Sequence, residues 1–352
     1  VESSFEGKRI LLTGAAGFVG SHVLRHLLKR TKAEIVCPVT FRHKGFPARI
    51  ISAAEGIEID GGAPARVTVM MMDLTAPADP ISISRMGHID YILNVASESH
   101  VDRSITDPVP FVMNNTALIL NTLELARVLR PDVFLQMSTD EVYGPAPMGY
   151  SHREWDPICP SNPYSASKAA QEAIAISYWR TYGVPVVITN TMNIIGEMQD
   201  VEKMVPKTIK LLTNGEPVPV HCDTDGSPGS RFYLHARNLA DAWLFLLRQE
   251  GKLWDLNMHV DGSGRPSRFN IVGEQEVDNI TLVKQVARIM GVMPRYEKQS
   301  FHASRPGHDL RYALDGSRMA KLGVNGWHPP FPFDSSLETT VRWTLDHPEW
   351  LQ

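Results

Sequence analysis

One string limits the fold of this chain more than any other: Thr13-Gly14-Ala15-Ala16-Gly17-Phe18-Val19-Gly20. It follows the apolar run Arg9-Ile10-Leu11-Leu12, which reads as a buried strand. It precedes a segment that places Val19, Val23, Leu27 and Leu24, Leu28 on one helical face. Glycines at such a junction permit a tight turn and let backbone approach a pyrophosphate closely. The helix N-terminus then offers unpaired N–H groups and the positive end of a dipole. The spacing is Gly-x-x-Gly-x-x-Gly, and Gly14, Ala16, Gly17, Phe18 and Val19 are the candidate cofactor contacts. A glycine-rich turn without a ligand is the plainer alternative.

The pattern around this string repeats. Ile35–Val39, Val67–Met71, Tyr91–Val95, Val133–Met137 and Val184–Thr189 read as further strands, with Pro38 near the end of its own. Helical periodicity fills the gaps, notably over Phe111–Leu129 and Tyr164–Tyr182. Strand–helix alternation of this kind predicts an α/β protein whose doubly wound parallel sheet, of Rossmann type, is covered on both faces. After about residue 190 the pattern changes. Two loop-forming segments, 223–230 and 261–266, flank a helix predicted over Leu239–Arg248, and another is predicted over Leu282–Met290. The expected organisation is a dinucleotide-binding domain over 1–190, to which about 233–260 returns, and a smaller mixed α/β substrate domain over 191–352.

Composition excludes several classes. With 352 residues, 43% hydrophobic and 21% charged, the chain can bury a large core and is not of the disordered type. A net charge of −4 disfavours nucleic acid as a partner. The cysteines Cys37, Cys159 and Cys222 form no Cys-x-x-Cys pair, which predicts free thiols in the cytoplasm. Apolar runs such as Trp243–Leu247 are too short for a membrane span, and the N-terminus lacks the pattern of a secretion signal. The histidines are scattered without ligand spacing, so no metal site is expected.

Four short stretches carry chemistry. The second strand ends in Val39-Thr40-Phe41-Arg42-His43-Lys44, without the carboxylate that normally holds the adenosine ribose. Arg42 can accommodate a 2′-phosphate, which points to NADP over NAD; a solvated basic loop is the alternative. Asp73-Leu74 follows the third strand, where it can meet the adenine, or Asp73 can cap a helix. Tyr164 and Lys168 share a helical face, so the ammonium can lower the phenol's pKa directly or through the cofactor ribose. The same spacing also occurs on solvated helices. Finally, Ser138-Thr139-Asp140-Glu141-Val142-Tyr143-Gly144 lies just past a strand's C-terminal end, where ligand sites of open α/β sheets form. Adjacent carboxylates there suit acid–base work if their surroundings separate their pKa values; a solvated acidic turn is the alternative.

Together these residues resemble the extended short-chain dehydrogenase/reductase family, and within it the dTDP-glucose 4,6-dehydratases. The shared strings are Ala96–Ile105, Ser138–Gly144, Pro163–Ala169 and Arg305–Asp315, so the resemblance covers nearly the whole chain. The Asp140-Glu141 pair separates this group from related epimerases and decarboxylases, which remain the alternative reading. A binding or redox-sensing module that has lost its chemistry would not require Tyr164 and Lys168.

The resemblance implies a mechanism. Thr139 hydrogen-bonds the sugar 4-hydroxyl, and Tyr164, helped by Lys168, removes its proton as hydride leaves C4. Glu141 takes the C5 proton, Asp140 protonates the departing 6-hydroxyl, and hydride returns to C6. The resemblance also places Val95, Ala96 and Ser97 on the cofactor, and Ser99, His100, Asn190, Asn193, Glu202, Lys203, Arg231, Arg305 and His308 on a dTDP- or UDP-hexose. Asn115 matches a structural position near the site. A homodimer is implied, packed through Phe111–Leu129 and Tyr164–Tyr182. Two departures stand out: Asn193-Ile194-Ile195-Gly196-Glu197 replaces the usual Asn-Asn-Tyr-Gly-Pro, and Phe232-Tyr233 replaces Asp-Trp.

Overall fold

The computed structural model describes residues 5–56, 66–249, 264–300 and 310–352. Seven parallel strands form the main sheet. In chain order they are β1 (Arg9–Thr13), β2 (Glu34–Val39), β3 (Val67–Met71), β4 (Tyr91–Asn94), β5 (Val133–Thr139), β6 (Val186–Thr191) and, after three strands of the smaller layer, β10 (Ser267–Ile271). Their spatial order is β10-β6-β5-β4-β1-β2-β3. The winding direction therefore reverses between β1 and β4, and the crevice beyond their carboxyl ends is where such sheets bind ligands. Pro38 lies beyond the last β1 pair, Leu11 with Val36, so β2 continues past it paired only with β3. That is how the strand tolerates a residue without an N–H.

Side chains of β1 alternate between the two faces, as a strand's period of two requires. Ile10 and Leu12 join the core under α1 (Phe18–Arg30) and α8 (Ala236–Leu247), whereas Leu11 joins the opposite core. That opposite core is closed by α3 (Pro80–Met86), α5 (Pro108–Leu129) and α6 (Pro163–Tyr182). The short helix α2 (Pro47–Ala54) packs on α1 through Ile50 and Ala53, and α4 (Val101–Thr106) borders the crevice through Arg103. In α8, Trp243 is fully buried and donates its indole N–H to Thr189 Oγ1 at 3.2 Å. The late segment thus returns to the main sheet through α8 and again through β10, which pairs with β6 from Ser267 to Ile271. The remainder of the expected return, 250–260, lies outside the described residues.

A second core joins α7 (Met204–Thr213), α9 (Asn279–Met290) and α11 (Phe333–Asp346) to strands β7 (Asn193–Ile195), β8 (Val218–Cys222), β9 (Ser230–His235) and β11 (Glu276–Asp278). These strands form the sheet β11-β9-β7, while β8 pairs with β12 (Tyr296–Ser300). Helix α9 begins earlier than periodicity suggested because Asp278 caps it, accepting from the Ile280 and Thr281 N–H groups.

Candidate active site

The Gly14 loop sits at the reversal of the sheet. Gly14 has φ of 70°, and a Cβ there would lie 3.0 Å from the Ala96 nitrogen. A Cβ on Gly20 would lie 2.0 Å from the Gly14 carbonyl oxygen, so that glycine lets α1 pack onto the loop. Helix α1 starts from Gly17 with no side-chain cap and no acidic residue in its first turn. Its first N–H groups and dipole are thus left to an anion. The loop opens into a cavity of about 250 Å³ that also takes in Arg42, Asp73, Leu74, Ala96, Ser97, Ser99, His100, Glu202 and Lys203. A dinucleotide fits this cradle, because its glycines are required by close backbone approach and its helix end is uncapped.

At the far end of the cavity, Phe41 and His43 have φ of 51° and 55° and turn the chain sharply after β2. Arg42 forms an ion pair with Asp73. Asp73 caps no helix: its Oδ1 accepts from the Thr75 N–H at 2.9 Å and the Thr75 hydroxyl at 2.7 Å, in a tight turn. Partial burial alone would raise its pKa, but the bonds from Thr75 and Arg42 hold it below the usual carboxylate range.

Four residues assigned to substrate by resemblance meet across the rim. His100 Nε2 is 3.3 Å from Glu202, and Lys203 donates to the Ser99 carbonyl at 2.8 Å. His100 also caps α4, its Nδ1 accepting from the Arg103 N–H at 3.2 Å.

The catalytic strings converge at the carboxyl end of β5. Asp140–Tyr143 form a single 3-10 turn, with Asp140 and Glu141 both buried. The Thr139 hydroxyl donates to Asp140 Oδ1 at 2.9 Å and accepts from the Glu141 N–H at 3.3 Å. Asp140 Oδ2 is buried without a hydrogen-bond partner. Burial, reinforced by the Glu141 carboxylate, pushes the Asp140 carboxyl up to about 7. Burial likewise drives the Tyr164 phenol upward, with Glu141 and Asp140 adding to the effect and a bond with Thr139 opposing it.

Helix α6 delivers both Tyr164 and Lys168, and its start is fixed by Asn162 and Ser165 in a reciprocal capping box. Lys168 does not meet the phenol. Its ammonium donates to the Met137 carbonyl at 2.8 Å and to Gln171 Oε1 at 2.7 Å. Burial lowers it to about 8, against the favourable charge of Glu172.

Asn190 is buried and donates to the Thr139 carbonyl at 3.0 Å and to Glu172 at 2.8 Å, leaving its own oxygen unpaired. Asn193 is exposed. Arg231 is buried, donates to the Ser230 and Leu310 carbonyls and lies 4.6 Å over the Tyr312 ring. Its charge reaches Asp140 and opposes the rise of that carboxyl. Arg305 and His308 lie outside the described residues. Asn115 bridges Glu98 and Ser167. The departing Glu197 is held by His235 at 3.2 Å and Arg237 at 3.6 Å, beside His22 of α1.

Sequence reasoning missed Asn162, Gln171 and the fully buried Arg268–Glu172 ion pair. The string Asn162-Pro163-Tyr164-Ser165 carried a readable cap signal. Gln171 lies one turn after Lys168, a spacing that puts the two on one helix face, but its other partners Gln136 and Asn115 are distant in sequence, as is the Glu172 partner of Arg268.

Residues 10–257 match the model of the NAD dependent epimerase/dehydratase family, and the chain belongs to that family. Within it the chain groups with sugar-nucleotide dehydratases. It is 31% identical to the dTDP-glucose 4,6-dehydratase of Neisseria meningitidis serogroup B, over 98% of this chain and 95% of that protein. It superimposes on the crystal structure of DesIV, a dTDP-glucose 4,6-dehydratase from Streptomyces venezuelae with NAD and TYD bound, with a TM-score of 0.80. That identity is 29%, over 98% of this chain and 99% of the other. A UDP-glucuronic acid 4-epimerase from Bacillus cereus shares the fold with a TM-score of 0.80 at 21% identity, over 96% of this chain and 99% of its own.

Proposed function

We propose that this chain is a nucleotide-sugar 4,6-dehydratase, a hydro-lyase that converts an NDP-hexose to the NDP-4-keto-6-deoxyhexose. One observation carries the reading. Two adjacent carboxylates occupy a buried turn beside Tyr164, and the surroundings push the Asp140 carboxyl up to about 7, so that a large share of it carries a proton near neutral pH. Elimination of water needs an acid and a base at neighbouring carbons, and these residues supply both.

Gly14, Ala16, Gly17, Phe18 and Val19 would hold the pyrophosphate, Asp73 and Leu74 the adenine side, and Val95, Ala96, Ser97, Tyr164 and Lys168 the nicotinamide side. When bound, the oxidised nicotinamide would supply a reversible hydride acceptor and a positive charge near the phenol. Thr139 orients the 4-hydroxyl, and Tyr164 accepts its proton. The resulting ketone acidifies C5–H. Glu141 removes that proton, the Asp140 proton leaves with the 6-hydroxyl as water, and Glu141 gives a proton back to C5 once C6 has received hydride; Tyr164 and Asp140 then exchange protons with solvent to restore the starting state. The sugar nucleotide lies along Ser99, His100, Asn190, Asn193, Glu202, Lys203 and Arg231, with Arg305 and His308 as its further contacts.

NADP is the proposed form of the cofactor. The end of β2 offers no carboxylate for the ribose, and Arg42, His43 and Lys44 all line the cavity there. A 2′-phosphate would take the place of Asp73 as the partner of Arg42.

The protein is proposed to act as a homodimer in the cytoplasm. Val109, Met113 and Leu120 recur on one face of α5 and are exposed, a pattern that packing against a second copy would bury. Free Cys37, Cys159 and Cys222 suit a reducing compartment. Among the described residues, no helix is long and apolar enough to cross a membrane. Light scattering after size-exclusion chromatography tests the dimer, and a monomer at working concentration would reject it.

Incubation with dTDP- and UDP-hexoses tests the reaction. The expected product is lighter by one water, about 18 Da, with no net cofactor consumed. Deuterium placed at C4 should appear in the new methyl group. A product of unchanged mass would favour an epimerase instead.

A further inference from the structure

A chain of buried side-chain amides runs under the carboxyl ends of the central strands. The Thr13 hydroxyl, one residue before Gly14, accepts from the Val95 and Ala96 N–H groups at 3.0 Å each and donates to Asn94 Oδ1 at 2.7 Å. Asn94 Nδ2 donates to Gln136 Oε1 at 2.7 Å. Gln136 Nε2 donates to Gln171 Oε1 at 3.3 Å and to the Met137 carbonyl at 2.8 Å. Gln171 Nε2 donates to the Asn115 carbonyl at 2.8 Å, and its Oε1 accepts the Lys168 ammonium at 2.7 Å. Every member is buried.

The direction of each bond sets the next. Gln171 Nε2 faces a carbonyl, which can only accept, so Oε1 must face the lysine. Reversing one amide would oppose acceptor to acceptor and leave buried donors unpaired, which is costly in a low-dielectric interior.

We propose that Gln171 is the positioning residue for Lys168, and that the Thr13–Asn94–Gln136–Gln171 chain ties the lysine's place to the pyrophosphate loop. The proposal rests on Lys168 serving the oxidation described above. An ammonium has three donors; Met137 and Gln171 take two, and the proposed function would give the third to the cofactor ribose. The Gln171 oxygen is a buried acceptor held 2.7 Å from the ammonium, a contact that favours its charged form.

Glu172, on the same helix as Lys168, is the group that acts on it and favours the ammonium. Arg268, on β10, pairs with Glu172. Asp140, Glu141 and Tyr164 act on one another at the catalytic turn. On α5, Glu124 pairs with Arg127.

The test is a titration of the lysine Nζ by nitrogen-15 NMR in the cofactor-free protein, with Lys168→Met assigning the signal. It is run on wild type, Gln171→Leu and Gln171→Glu, with cofactor affinity measured in parallel. Gln171→Leu should lower the lysine pKa by about one unit, the effect of one lost charge-assisted hydrogen bond, and weaken cofactor binding roughly tenfold. Gln171→Glu should move the pKa above wild type. In turnover, Gln171→Leu should lower kcat with little change in KM for the sugar. Unchanged lysine titration in Gln171→Glu, which keeps an acceptor, would overturn the proposal even if Gln171→Leu fails to fold. Wild-type protein that titrates as expected yet eliminates no water would refute the dehydratase reading instead.

Discussion

The Asn162 side-chain amide donates to Glu141 Oε2 at 3.2 Å. The residue that starts α6, by accepting from the Ser165 N–H at 2.9 Å, therefore also orients the proposed base. Asn162→Ala should lose about 1 kcal/mol of stability from the cap, and its loss of turnover should exceed what the fraction unfolded explains. Asn162→Ser keeps a cap but cannot reach Glu141 as the amide does. It should recover most of the stability and little of the kcat, measured by thermal melts alongside product formation.

Asp140 is the clearest pH marker. As the proposed acid it must hold its proton, so water loss should fall as pH rises through about 7. Asp140→Asn should reduce elimination by about 100-fold or more while leaving C4 oxidation measurable as reduced nicotinamide.

The same carboxyl has a linked effect on stability. Its folded pKa lies above the unfolded one, so neither state is favoured at pH 3, where both are protonated. The ionised form then penalises the fold increasingly up to about pH 7. Asp140→Asn should accordingly melt with wild type at pH 3 and above it at pH 7, by roughly 1–2 °C per kcal/mol relieved in a chain of this length. Equal melting temperatures at both pH values would contradict the burial argument.

Arg42 bears on cofactor choice. It is 61% exposed, so its pair with Asp73 contributes little to stability and can exchange for another anion. Arg42→Ala should raise the Kd for NADP about tenfold and leave that for NAD nearly unchanged. Wild-type protein that binds NAD more tightly than NADP would reject the 2′-phosphate assignment.

Gly20 tests the cradle. A methyl group 2.0 Å from the Gly14 carbonyl oxygen cannot be accommodated by a side-chain shift, because backbone faces it. Gly20→Ala should therefore cost several kcal/mol and abolish cofactor binding, whereas Gly7→Ala, with nothing near its Cβ, should disturb only its own φ of 76°. Calorimetry and cofactor titration on the two variants make the comparison.

The legible parts of the site were those written in short strings. The glycine spacing, Thr139-Asp140-Glu141 and Tyr164-Ser165-Ala166-Ser167-Lys168 each put chemistry on one turn or one helix face. Periodicity located the first six strands of the main sheet to within two residues. It gave no sign of β10, whose place beside β6 is decided by pairing with a strand about 80 residues earlier. Lys168 was readable as a partner of Tyr164 by spacing, but its ammonium turns to Met137 and Gln171, since those acceptors are buried with it.

What the amino-acid order determined alone is the strand–loop–helix alternation, the glycine spacing of the loop and the adjacency of Asp140 and Glu141, because each depends on neighbours a few residues apart. Only the tertiary structure decided how those groups behave. The Asp140 carboxyl is pushed up to about 7, Asp73 serves Arg42 and Thr75, and His100 meets Glu202 because folding brings distant groups together and removes water from around them. Desolvation and pairing are properties of that assembled neighbourhood, and no local string encodes them.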